Sequence, residues 1–221
     1  MKFPRRLAIP FVLAALHAAA GGSSVRADDG DEVDQGDGFV VPPPPEAHPP
    51  RLSGEVRLDV VFPFEQDPLC PDGSACVFGG GGGVGGLLEW RYPSGLALGA
   101  GLDVWFLDGN GVHELSTMLA ARFQLRWFLL PQRQIHPYVG ASVGGLLFGD
   151  TFKADAVGGL VDALAGFEVE IGPNLAITVG LGVRVFTTTS FESRSDMVER
   201  GQGGVDAAAT LQAGVVLLQG T

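Results

Sequence analysis

LSTMLAARFQLRW, residues 115–127, reads in strict alternation. Leu115, Thr117, Leu119, Ala121, Phe123, Leu125 and Trp127 fall on one parity; Ser116, Met118, Ala120, Arg122, Gln124 and Arg126 fall on the other. Successive side chains of a strand point to opposite faces, so a period of two gathers both arginines on one face and leaves the other uncharged. A helix would mix the two sets around its circumference. The stretch is a β-strand with one apolar and one polar face.

The same reading extends in both directions. Leu96, Leu98, Ala100, Leu102, Val104 and Phe106 alternate with Ala97, Gly99, Gly101, Asp103, Trp105 and Leu107, and Val56, Leu58, Val60 and Phe62 alternate with Glu55, Arg57, Asp59 and Val61. Within 161–171, Asp162, Glu168 and Glu170 oppose Val161, Ala163, Ala165, Phe167 and Val169. Weaker alternation at 84–92, 139–147, 175–185 and 205–217 brings the count to eight strands. Every charge assigned to a strand lies on one parity.

Two architectures alternate in this way. A soluble lipocalin-like barrel turns its apolar parity inward around a ligand; a membrane barrel turns it outward to lipid. Strands of about 9–11 tilted residues suffice to cross a bilayer, and these runs reach or approach that length. Connections at 93–95, 131–136 and 172–174 are tight, whereas those at 65–83 and 187–202 are long; the loops at 108–113 and 149–155 are shorter than outer loops usually are. The pattern predicts an all-β, eight-stranded antiparallel up-and-down transmembrane β-barrel over residues 52–218, with its tight turns in the periplasm and its longer loops outside.

The predicted inward set holds Glu55, Arg57, Asp59, Glu89, Arg91, Asp103, Arg122, Arg126, Asp162, Glu168, Glu170, Arg184 and Asp206. Buried charges are tolerated when paired and hydrogen-bonded, so an internal salt-bridge network is expected. Eight strands enclose an interior that side chains fill. The inward glycines Gly99, Gly101, Gly140, Gly144, Gly180 and Gly182 make room for arginines, and a narrow passive channel is the second reading. Aromatic rings favour membrane interfaces. Trp90, Tyr92, Trp127 and Tyr138 are expected at the periplasmic rim, and Phe62, Phe64, Phe106, Phe148 and Phe186 near the outer rim.

The first 27 residues have the layout of a secretory signal: Lys2, Arg5 and Arg6, then an apolar stretch from Leu7 to Ala20, then Val25 and Ala27 before a cleavage point. Their removal takes four of the 14 basic residues and none of the 25 acids, which sharpens a formal charge of −11 and excludes a nucleic-acid partner. Residues 28–51 carry Asp28, Asp29, Asp31, Glu32, Asp34 and Asp37 and then Pro42–Pro45, Pro49 and Pro50, the composition of a disordered periplasmic linker. A proline-rich ligand for a periplasmic protein is the other use of such a segment.

Chemistry-bearing clusters are sparse. Cys70 and Cys76 bracket Pro71-Asp72-Gly73-Ser74-Ala75 and suit a small disulfide ring in the first outer loop. Two cysteines without histidine make a poor metal site, and no cofactor motif is readable. His113, Glu114 and Ser116 are the one set resembling a hydrolytic group, but strand parity puts Glu114 and Ser116 on the face opposite His113. His136 reads as a turn residue. The glycine run at 79–83 lacks the strand-to-helix setting of a nucleotide loop and reads as flexible loop leading into a strand.

With its signal segment, its eight alternating runs and phrases such as HPYVGASVGG at 136–145 and NLAITVGLGVRV at 174–185, the chain resembles the small eight-stranded outer membrane β-barrels of the OmpA/OmpX-like type across residues 52–218. The resemblance implies an outer-membrane location, lipid as the surrounding partner, and the barrel-assembly machinery as the partner in biogenesis. Members end in an aromatic residue read by that machinery; this chain ends Leu217-Leu218-Gln219-Gly220-Thr221. No catalytic motif travels with the resemblance. The expected role is non-enzymatic, structural or surface-interacting, with the outer loops as the contact surface for a protein partner. A soluble exported ligand-binding barrel is the remaining reading.

Overall fold

The computed structural model describes residues 50–219 except 66, 67, 132, 194 and 202; the expected signal segment, and the expected linker through residue 49, lie outside the described residues. The strands are β1 Arg51–Glu65, β2 Gly81–Arg91, β3 Leu96–Leu107, β4 Ser116–Phe128, β5 Ile135–Asp150, β6 Lys153–Gly172, β7 Leu175–Thr188, β8 Phe191–Glu192, β9 Glu199–Arg200 and β10 Asp206–Gln219. All but β8 and β9 pair antiparallel in one closed ring, and β10 meets β1 from Leu52↔Gln219 to Glu65↔Ala207. Closure gives every barrel strand two hydrogen-bonded neighbours, the condition for a sheet to sit in hydrocarbon. The short β8 and β9 pair with each other in the last outer connection.

The orientation of the two parities separates the membrane barrel from the soluble one. On β4, Phe123 is 71% exposed while Arg122 and Gln124 on either side are 3% exposed. The apolar belt continues around the barrel through Val56, Leu58, Leu88, Leu102, Val143, Val161 and Leu181, all exposed. Facing water, such a surface would leave a large hydrophobic area uncovered; facing acyl chains, it is satisfied. Even β2, with 11 residues, covers about 28 Å when tilted, enough for the hydrocarbon layer.

Three strands extend beyond the expected boundaries. The loop expected at 149–155 is instead strand on both sides of a two-residue connection, because β5 and β6 run on to the pair Asp150↔Lys153. Thr151 and Phe152 at the tip have φ of 47° and 64°. A two-residue hairpin of this hand needs positive φ at both central positions, normally marked by Asn-Gly, so Thr-Phe hid it. The glycine run likewise enters the sheet: Gly81–Gly83 open β2, where a Cβ on Gly83 would strike the Trp105 ring.

Candidate functional site: the lumen and its outer cap

The inward parities of the eight barrel strands meet on the axis in two ionic layers. Nearer the termini, Arg91 on β2 makes two hydrogen bonds, of 2.6 and 2.8 Å, to Glu168 on β6, directly across the barrel, and a third of 2.8 Å to Ser53. Arg126 on β4 pairs with Glu55 on β1 and, at 3.0 Å, with Glu89 on β2. Further out, Asp103 on β3 is a hub for three arginines: Arg57 at 2.6 Å, Arg122 at 2.7 Å and, from the opposite wall, Arg184 at 3.5 Å. Arg184 also holds Asp162, whose second oxygen accepts the Ser142 hydroxyl at 2.7 Å, and Asp59 accepts from the Trp105 indole at 3.1 Å.

Three of the guanidinium groups also lie against aromatic rings. Arg184 stands 3.8 Å above Trp105, Arg91 4.7 Å above Phe128 and Arg126 5.2 Å from the Tyr138 ring centre. The glycines supply the space: a Cβ at Gly140 or Gly144 would press on Arg126 or Arg122, and one at Gly180 on the Tyr138 hydroxyl. Packed in this way, the charged residues within the lumen are 0–6% exposed. Among the described residues these charges are thus almost wholly shielded from water. Glu170 differs from the others predicted with it, since it lies at the rim, partly exposed, and pairs with Arg51 at 2.5 Å. Asp206 is fully buried at the start of β10, opposite Phe186.

Above the ions the lumen turns apolar. Trp105, Met118, Leu146, Phe148 and Phe186 from the walls close on Leu69, Val77 and Phe78 from the first outer loop and on Phe191 of β8. Phe78 meets Phe186 edge-on at 5.1 Å, and Phe148 meets Phe191 at 5.9 Å. The two long loops, expected to project as contact surface, thus send side chains down into the barrel. Alternating strand patterns cannot announce this, because the inserted residues sit outside the barrel strands; the local signal was an apolar Val77-Phe78 pair in an otherwise polar, glycine-rich loop.

Polar latches bind the loops to each other. Arg200 donates to Asp196 at 2.6 Å and to the Ala75 carbonyl at 2.9 Å, Ser195 donates to the Val112 carbonyl at 2.6 Å, and Asn110 donates to the Cys76 carbonyl at 3.0 Å. The Arg200 hydrogen bonds pull the Asp196 carboxyl down to about 2. Cys70 and Cys76 are joined as a disulfide.

His113 and Ser116 come together, contrary to the parity argument. His113 precedes β4 and so does not obey strand alternation; its Nδ1 lies 3.0 Å from Ser116 Oγ. The Ser116 hydroxyl spends its proton on the Val77 carbonyl at 2.5 Å, so Nδ1–H of the imidazole is the donor to Ser116. A serine whose proton already belongs to a carbonyl is not poised for transfer to the histidine. The pair instead buttons the first loop onto β4. Burial pushes the His113 pKa below its ordinary 6.5. At the other end, His136 is buried, 2.9 Å from the Leu130 carbonyl and 3.4 Å from Glu170.

Of the aromatics expected at the rims, Trp90, Tyr92 and Trp127 face outward, as do Phe62, Phe64 and Phe106. Tyr138, Phe148 and Phe186 do not. Tyr138 shares the inward parity of His136 and Ser142, and its hydroxyl meets Thr178 at 3.1 Å. Phe148 and Phe186 lie on the parities of Leu146 and Arg184 and belong to the apolar seal. Their positions near strand ends suggested a girdle, whereas parity decides the face.

A closed eight-strand barrel with lipid-compatible walls and its charges locked inside is an integral membrane β-barrel. Its fold is that of the small outer-membrane barrels. Neisserial surface protein A matches with a TM-score of 0.51 at 13% identity, over 75% of this chain and 96% of that one; the outer membrane protein OprG from Pseudomonas aeruginosa matches with 0.55 at 9% identity, over 79% and 98%. No protein-family model matches the sequence, and no curated protein matches it by sequence.

Proposed function

We propose that this chain is a non-enzymatic outer-membrane protein whose barrel is a rigid, closed support for a cap of interlocked outer loops, with a structural or surface-interaction role carried by that cap. One observation supports this most: the lumen is filled twice over, by cross-braced ion pairs and then by an apolar seal. On this reading residues 1–27 are a signal peptide removed on export, residues 28–51 a periplasmic linker, and the barrel-assembly machinery the partner in biogenesis. The predicted lumen charges act by holding the barrel's shape, and Trp90, Tyr92 and Trp127 by setting its depth at the periplasmic interface.

The narrow-channel reading would need a continuous wet path, and burial of the lumen charges argues against one. The soluble-barrel reading would need its apolar parity inside. Conductance of the purified barrel in planar lipid bilayers, after heat-modifiable mobility on gels has established folding, tests the proposal. Silence at moderate voltage is expected; steady ion-conducting steps from folded protein would replace the support by a channel.

A further inference from the structure

We propose that residues 68–80 form a disulfide-stapled plug in the outer mouth and that reduction of Cys70–Cys76 releases it, making the cap responsive to redox conditions at the cell surface. Leu69 and Val77 flank the two cysteines directly, and with Phe78 they are entirely buried in the seal. The disulfide holds the Cα atoms of Cys70 and Cys76 4.3 Å apart, so it gathers the two arms of the plug before they enter the barrel. No regular secondary structure supports them: the backbone ties at the base of the loop are Gly79 N–H to the Asp108 carbonyl at 2.8 Å, Asp108 N–H to Gly80 at 3.0 Å, and Gly201 N–H to Pro68 at 2.8 Å. Proline and glycine within the loop leave the unstapled segment many conformations, and closing a loop restricts them.

Both cysteines are half-buried, packed against the seal on one side and partly exposed on the other. The reductant required is a dithiol. One of its thiolates attacks a cystine sulfur and expels the other as thiolate; its second thiol then displaces the mixed disulfide. The cystine gains two electrons and two protons, and the dithiol becomes a cyclic disulfide. Loss of the staple frees Val77 from Leu69, and the Val77 carbonyl loosens its hold on Ser116 and, through it, on His113.

The test is hydrogen exchange of the full mature chain, folded in phospholipid nanodiscs, before and after dithiothreitol, with alkylation and mass measurement to count two free thiols. Amides of 68–80, together with those of Asp108 and Gly201, are expected to exchange at least tenfold faster after reduction, while β3–β7 keep their protection. A Cys70→Ser, Cys76→Ser variant should behave as the reduced protein; if it does not fold, the wild-type chain reduced after folding is sufficient. Two alkylated thiols with an unchanged cap, or with faster exchange confined to 70–76, would overturn the proposal.

Discussion

The two halves of this lumen are filled by opposite means. Toward the termini, arginines and carboxylates span the barrel from wall to wall; toward the outside, aromatic and aliphatic side chains close on residues contributed by loops. The ionic half is built wholly from strand residues, so its geometry is set once the register is set. The apolar half takes part of its substance from segments outside the sheet and can be lost while the sheet remains. A buried charge whose partner is removed is costly, whereas a buried apolar loop can withdraw at the cost of its contacts alone. The barrel and its cap are therefore expected to be separable in stability.

The sharpest way to break the ionic half is Asp103→Ala, which leaves Arg57, Arg122 and Arg184 without their shared carboxylate. A loss of about 3–5 kcal/mol is expected, read from urea unfolding of the whole barrel in lipid. Phe78→Ala attacks the apolar half. It should cost up to about 3 kcal/mol, but locally, as faster hydrogen exchange in the loops with the strands unaffected. Equal loosening of strands and cap would contradict the separation.

Two smaller effects sharpen the comparison by pH, since both groups belong to the cap. His113 is held neutral by burial, so the unfolded chain takes up a proton more readily than the folded one. The cap is accordingly at full strength above pH 6.5 and weakens as pH falls below it, and His113→Gln should abolish that dependence in loop hydrogen exchange between pH 7.5 and 5. Asp196 acts lower. Its folded value of about 2 lies below the ordinary 3.8, so the Arg200 latch is present above about pH 4 and is lost as pH falls toward 2. Being exposed, it is worth less than about 1 kcal/mol, and Asp196→Asn should change loop protection at pH 7 only slightly.

Much of this was legible beforehand, and for one reason. The alternation of Arg122, Gln124 and Arg126 with Leu119, Phe123 and Leu125 marks the strand and its two faces, one polar and one spared from charge. The charges within the lumen follow from the same parity. Tyr138, Phe148 and Phe186 stand near strand ends like the girdle aromatics, yet their parity turns them into the lumen. The Thr151-Phe152 turn and the His113–Ser116 contact escaped because neither carries a local signature: one lacks the usual turn residues, and the other joins a residue before a strand to one within it.

Periodicity along a strand is a local property, written into every second residue, and it alone determined the eight strands and the gathering of their charges on one face; the closed barrel decided that this face is the inner one. Which arginine reaches which carboxylate depended on closure and on the stagger between strands, which put β7 opposite β3 and β2 opposite β6. The folding of the outer loops into the mouth was likewise decided only in three dimensions, because Leu69, Val77, Phe78 and Phe191 find apolar partners on strands distant in the chain, and only the closed barrel brings those walls within reach.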